Sequence, residues 1–137
     1  MARKYKAWPP MPAKKPTLSV PDSIKAEVAA KAAELIEKVL QPKHVKPPPK
    51  DQQFNFIIDI GSKWHRNYFY FFSTYACPSP NTLSPTFQAK FARMEYRGDA
   101  KYALEFCRHT GKWVMIYGDL SVDESMKAIQ NDAWFEP

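Results

Sequence analysis

The apolar spacing of this chain changes once, at Gln53, and that change limits what it can fold into. Upstream, Ile24, Val28, Ala32, Leu35, Ile36 and Val39 recur at helical intervals and mark one face of a helix. Downstream, Phe54, Phe56, Ile58 and Ile60 alternate with Asn55 and Asp59, the pattern of a strand with one face buried. Further strand-like runs follow with only short turns between them. Parallel neighbours need crossovers of a dozen or more residues, usually helical, so these strands pair antiparallel. The fold class is therefore α+β: an N-terminal helix, a five-stranded antiparallel sheet and a C-terminal helix, preceded by an extended basic arm.

The spacing predicts a helix opening at Asp22 or Ser23, either of which can cap it, just after Pro21. Glu27–Lys31 and Glu34–Lys38 are i, i+4 pairs on its outer side, and Pro42 is expected to end it. Pro47, Pro48 and Pro49 then form a stiff bridge flanked by Lys43, Lys46 and Lys50. Strands are predicted at 53–60, 64–75, 86–96, 101–108 and 112–117. Gly61-Ser62-Lys63 is read as the first hairpin turn, with further turns at Gly98-Asp99 and Thr110-Gly111. The third strand carries a bulge, because its apolar phase slips between Phe91 and Ala92. Ser121 with Glu124 is a capping box opening the last helix, whose inner face is Val122, Met126 and Ile129. The organisation is an arm, 1–21, and one domain, 22–137, in which 22–50 hold the helix and bridge and 51–137 the sheet and final helix.

Charge divides along the same boundary. Residues 1–50 carry 11 Lys/Arg against 4 Asp/Glu, a net of +7, while the remainder carries 9 against 10, a net of −1. A basic arm on a near-neutral body points to a polyanionic partner reached by the arm, against the plainer reading of a solubilising tail. Arg3, Lys4, Lys6, Lys14 and Lys15 are the arm's cations, interleaved with Tyr5, Trp8 and five prolines between 1 and 21. Proline fixes φ and removes donors, so the arm is expected to be extended and unable to build a core of its own.

No apolar run approaches the roughly 20 residues of a membrane-spanning helix, and the first residues lack the apolar stretch of a secretory signal. Cys77 and Cys107 with three histidines show neither CxxC nor HxxxH spacing, so a metal centre and a disulfide framework are not expected. An intracellular, reducing setting follows as an expectation, in the cytoplasm or an organelle matrix such as the mitochondrion. Glu105, Cys107 and His109 share one face of the fourth predicted strand. Side chains two apart on a strand lie near 7 Å from each other, too far for a nucleophile–base hydrogen bond.

Nine of the 20 aromatic residues fall between Phe54 and Tyr75. One sheet face packs on the helices; the other offers Trp64, Tyr68, Tyr70 and Tyr75 either to a neighbouring protein or to stacked bases. The order helix, strands, helix is shared with double-stranded-RNA-binding domains. Those need basic residues opening the last helix, and here Asp123 and Glu124 stand in its first turn.

Several short stretches resemble the uncharacterised bacterial domain-of-unknown-function family 3024. They are Pro42-Lys43-His44-Val45 after the helix, Ala89-Lys90-Phe91-Ala92-Arg93 in the third strand, Gly111-Lys112-Trp113 opening the fifth, and Asp132-Ala133-Trp134-Phe135 at the end. Tyr102 stands for the family's aromatic in the preceding strand. The resemblance covers 23–137, implies the helix–sheet–helix topology and brings no activity with it. Residues 1–50 also resemble, in kind rather than by motif, the Lys/Pro-rich extensions of ribosomal proteins, including organellar ones.

The function these features favour is a non-catalytic, RNA-associated structural subunit of a ribonucleoprotein assembly, ribosomal in kind. Arg3, Lys4, Lys6, Lys14, Lys15, Lys43, Lys46 and Lys50 would meet RNA, and neighbouring protein subunits would cover the aromatic face. The alternative is a stand-alone protein-binding module, and a Cys/His enzyme comes third. No cofactor, metal, membrane or small-molecule substrate is expected.

Overall fold

In a computed structural model that describes residues 19–48, 54–78 and 84–137, the chain enters at Val20, already buried. The first helix, α1, spans Asp22–Leu35. Pro21 takes the cap position and no side chain caps it; Asp22 instead lies in the first turn, where its charge favours the helix dipole. Val28 and Ala32 are fully buried and Leu35 nearly so, so the apolar stripe read from the sequence faces the core.

Pro42 does not end the helix. Ile36–Leu40 widens into a π-helical turn, and a short terminal helix, α2, covers Gln41–His44 with Pro42 in its first turn. Proline in a helix interior removes an N–H and crowds the preceding turn. Here the wider turn passes the chain to a new helical start, where the missing N–H is one that no partner awaits. The outer pairs differ from expectation as well. Glu34–Lys38 forms at 3.1 Å, but Lys31 reaches past Glu27 to Asp123 on the last helix.

The five strands are β1 (Phe56–His65), β2 (Tyr68–Ala76), β3 (Thr86–Tyr96), β4 (Tyr102–Cys107) and β5 (Trp113–Leu120). They form one antiparallel meander in sequence order, with β1 and β5 at its edges. The first hairpin turns at Arg66-Asn67, not at Gly61-Ser62-Lys63. Gly61 lies within β1, opposite Phe72, and a Cβ there would sit 2.7 Å from the Phe72 ring. The glycine serves a close approach, not a turn. β5 likewise runs past Gly118, because two register shifts against β4 absorb extra residues where a stop was read.

The predicted β3 bulge is present. Phe71 pairs with Ala92 and Phe72 with Lys90, leaving Phe91 as the extra residue. Both Phe91 and Ala92 turn inward and are buried. The last helix, α3, spans Val122–Asn131 behind a complete capping box. The Glu124 N–H donates to Ser121 Oγ at 3.2 Å, and the Ser121 N–H to Glu124 Oε1 at 2.8 Å.

α1 lies against β1, α3 against β4 and β5, and the helices touch each other on one side of the sheet. Between the layers sit Phe69, Phe71, Met94, Tyr102, Leu104 and Phe135, each at most 1% exposed. Burying side chains of this size contributes about 1.5–3 kcal/mol each before conformational entropy is set against it. Among the described residues, no helix lies on the far side of the sheet.

Candidate functional site

Strand pairing decides which side chains share that uncovered face. Lys63 stands opposite Tyr70, which stands opposite Arg93, which stands opposite Glu105, which stands opposite Met115. The adjoining rows are His65, Tyr68, Glu95 and Ala103 on one side and Phe72 with Lys90 on the other. Cys107 opposite Trp113 completes the face at β5.

At its centre the Arg93 guanidinium lies 4.2 Å from the Tyr68 ring centre and 4.5 Å from that of Trp113. Its Nε and Nη2 both donate to Glu105 Oε1, at 2.9 and 2.7 Å. The side chains of Arg93 and Glu105 are only 17% and 10% exposed, so this ion pair is largely desolvated. Burial opposes the charge on Arg93, but the hydrogen bond and charge of Glu105 outweigh it and hold the guanidinium above its ordinary pKa. Tyr70 packs edge-on to Trp113 at 5.7 Å. Tyr68 donates to Glu95 Oε2 at 3.2 Å; burial, then the Glu95 charge, pushes its phenol upward. Arg97 closes the row, donating to Glu95 at 2.7 Å.

Two lysines complete the layer. Lys90 Nζ lies 4.5 Å from the centre of the Tyr70 ring and Lys63 Nζ 5.4 Å from that of Phe72. Every aromatic ring across the middle of the face therefore carries a cation of the same chain. Such contacts contribute about 0.5–1 kcal/mol at exposed positions and about 2 kcal/mol when desolvated.

The residues expected on this surface separate. Tyr68 and Tyr70 lie on it. Trp64 does not: with the turn at Arg66-Asn67 it pairs with Phe69, meets that ring edge-on at 5.1 Å and donates from Nε1 to the Lys25 carbonyl at 3.1 Å. It belongs to the helix side, where it anchors α1. Tyr75 also faces the helix side and stacks on Phe87 at 5.1 Å. Lys43 and Lys46 are exposed at the end of α2, and Lys46 Nζ donates to the Pro42 carbonyl at 3.3 Å. Between them, burial and the neighbouring Lys43 charge push the His44 imidazole below its ordinary pKa. Arg3, Lys4, Lys6, Lys14, Lys15 and Lys50 lie outside the described residues.

Arg93, Glu105, Trp113, Lys63 and Lys90 were not expected on this surface: Glu105 was weighed with Cys107 and His109, Lys63 was read in a turn, and Lys90, Arg93 and Trp113 entered only through the family resemblance. Arg93 and Glu105 are equally distant from the Gly98–Ala100 turn, so extending that hairpin register would have paired them. β4 ends at Cys107, which leaves His109 in the following turn and off the face expected for it. Among the described residues no group of three His, Cys, Asp or Glu side chains is placed to hold a metal, and no helix is long and apolar enough to cross a membrane.

On the helix side, a groove of about 530 Å³ runs between the π-helical turn and the free edge of β1, floored by Ile60, Gly61 and Ser62. Gln41 Nε2 spans it, donating to Asp59 Oδ1 at 2.6 Å and to the Ile60 carbonyl at 3.3 Å. This side chain occupies an edge acceptor that would otherwise be open to another strand.

No curated protein and no solved structure matches the chain. A family model does match, over residues 20–137, which leaves nearly all of the arm, 1–19, outside. This protein belongs to the family described as domain of unknown function DUF3024.

Proposed function

We propose that the protein is a non-catalytic RNA-associated subunit of a ribonucleoprotein assembly. The observation that carries this is the division of charge: +7 over residues 1–50 against −1 over the remainder. Much of the body's charge is spent internally, in Arg93–Glu105, Arg97–Glu95, Lys31–Asp123 and Lys38–Glu34. The net positive charge left to meet a polyanion lies in the arm and at Lys43, Lys46 and Lys50, because acidic residues match the other cations in number. A small α+β body with a Lys/Pro-rich extension suits a ribosomal setting, in the cytoplasm or an organelle matrix. A second reading, a protein-binding module, draws on Met115, which is 52% exposed beside the stacked layer.

A salt series with single-stranded RNA and the full chain tests the first reading. Five phosphate contacts from Arg3, Lys4, Lys6, Lys14 and Lys15 contribute about −3.5 to the log–log slope, and changing these five to Gln should remove that share. Lys43, Lys46 and Lys50 steepen the slope in both forms if they also touch the backbone. Equal slopes for the two proteins, or no binding by either, favour the protein-binding module.

A further inference from the structure

We propose that Lys63 and Lys90 form a two-cation track on the uncovered sheet face that takes the phosphates, and not the bases, of a single RNA strand. The inference deepens the RNA-associated reading and rests on it. It starts from the contrast among the cations of this face. Arg93 and Arg97 each have a carboxylate, whereas no carboxylate among the described residues pairs with Lys63 or Lys90. Both lysines are exposed, and both lie over rings.

A ring restrains a lysine without neutralising it. The ammonium keeps its whole charge and its solvent-facing donors, while the long stem loses part of the freedom that a phosphate contact would otherwise have to remove. The two reach across β2 on crossed diagonals. Lys63 on β1 stands opposite Tyr70 but lies over Phe72, and Lys90 on β3 stands opposite Phe72 but lies over Tyr70. Their strands are two spacings apart, roughly 10 Å, so one strand of RNA can touch both in passing.

The bulge at Phe91 puts Lys90 there. Arg93 points to the uncovered face, so uninterrupted alternation would send residue 91 the same way and Lys90 into the core. With Phe91 as the extra residue, Phe91 and Ala92 both turn inward and Lys90 emerges beside Phe72. Bulges re-aim side chains in this way and are over-represented near functional sites.

Phosphate is favoured over base because the rings are already engaged. Lys90 lies on Tyr70, Lys63 on Phe72, and Arg93 between Tyr68 and Trp113. Tyr70 is only 8% exposed. A base would have to displace a cation to stack, whereas a phosphate meets the cations where they lie.

The test uses the full chain, fluorescein-labelled oligouridylate and a salt series read by anisotropy. Lys63→Gln/Lys90→Gln should lower the slope by about 1.4, two contacts at about 0.7 each, while the chain stays folded with a urea midpoint lower by about 0.5–1 M for the two lost ring contacts. Lys63→Arg/Lys90→Arg should restore it, since arginine also lies over rings. An abasic strand of equal length should show the same loss. A loss confined to the base-bearing strand would mean stacking and overturn the phosphate track. Polyglutamate binding as tightly, with the same dependence on both lysines, would assign the face to an acidic protein and overturn it as well. If the five arm substitutions flatten the slope but the lysine pair leaves it unchanged, the track is wrong and the arm reading stands. If the native chain binds no RNA, both fall.

Discussion

Replacing Glu105 by Met should be among the most damaging single changes on the uncovered face. The substitution keeps the volume and removes the one carboxylate among the described residues that Arg93 reaches. Breaking a buried ion pair from one side costs about 3–5 kcal/mol, chiefly because the surviving charge is left without its partner. Arg93 keeps the rings of Tyr68 and Trp113 and a 17% exposed margin, which offsets about 1 kcal/mol. The expected loss is about 3 kcal/mol. With a urea slope of about 2 kcal/mol/M, the midpoint falls by about 1.5 M. The double variant Arg93→Met/Glu105→Met should recover most of this, because it removes the orphaned charge and sets two thioethers among aromatic rings. Urea unfolding of the native chain, both single variants and the double variant closes the cycle and isolates the coupling. If Glu105→Met is as stable as the native chain, the rings and water satisfy Arg93 and the ion pair is incidental. If the double variant is as unstable as Glu105→Met alone, the cost was one of packing, and the desolvated-charge argument fails.

Two further outcomes test the helix side. Ser121→Ala removes the acceptor for the Glu124 N–H and should cost about 1 kcal/mol, seen as a fall of about 0.5 M in the urea midpoint at unchanged slope. Tyr102, 1% exposed, has its phenol pushed up to about 12 by burial and the nearby Glu27 and Tyr96. An unfolded tyrosine ionises near 10, so this contribution is whole below about pH 10 and is lost as pH rises towards 12, where only the unfolded chain gives up the proton. Unfolding measured along that range should show the decline in the native chain and less of it in Tyr102→Phe.

The topology was readable because local signals agreed with it: one helical stripe, alternating strands, Gly98 and Gly111 at positive φ in turns, and the Ser121–Glu124 box. The failures have local causes. Gly61 has the composition of a turn, but its reason is the Phe72 ring across the strand, a contact that no short window of sequence contains. Moving that turn to Arg66-Asn67 carried Trp64 to the opposite face, because a shift in strand phase reverses a side chain. Pro42 was read as the end of the helix, but the π-helical turn lets the helical path continue through it. The aromatic content of the site was legible; its cations were not. The rule that placed exposed aromatics on a sheet does not say which strand supplies the cation above each ring.

The position of the two lysines bears on why no carboxylate among the described residues pairs with them. Lysine on an edge strand can serve merely to keep other strands from pairing with it, which is enough to account for Lys63 on β1. The same reason reaches Lys90 only in part: β3 pairs with β2 there, while β4 pairs with β3 from Ala92 to Tyr96, so the other edge of β3 is open at Lys90. Three residues along the same strand Arg93 has a carboxylate partner in Glu105, so the sheet can supply one to a cation of β3. At Lys90 the sheet supplies a ring in its place, and it does so through a bulge that interrupts the ladder at Phe91. A surface lysine needing only solubility would require no bulge to reach solvent. The bulge has its own packing reason, since it buries both Phe91 and Ala92, and the two explanations part in one variant. Changing Lys90 alone to Gln leaves the bulge and its packing intact, so a purely structural lysine predicts unchanged RNA binding. The phosphate track predicts a salt slope shallower by about 0.7.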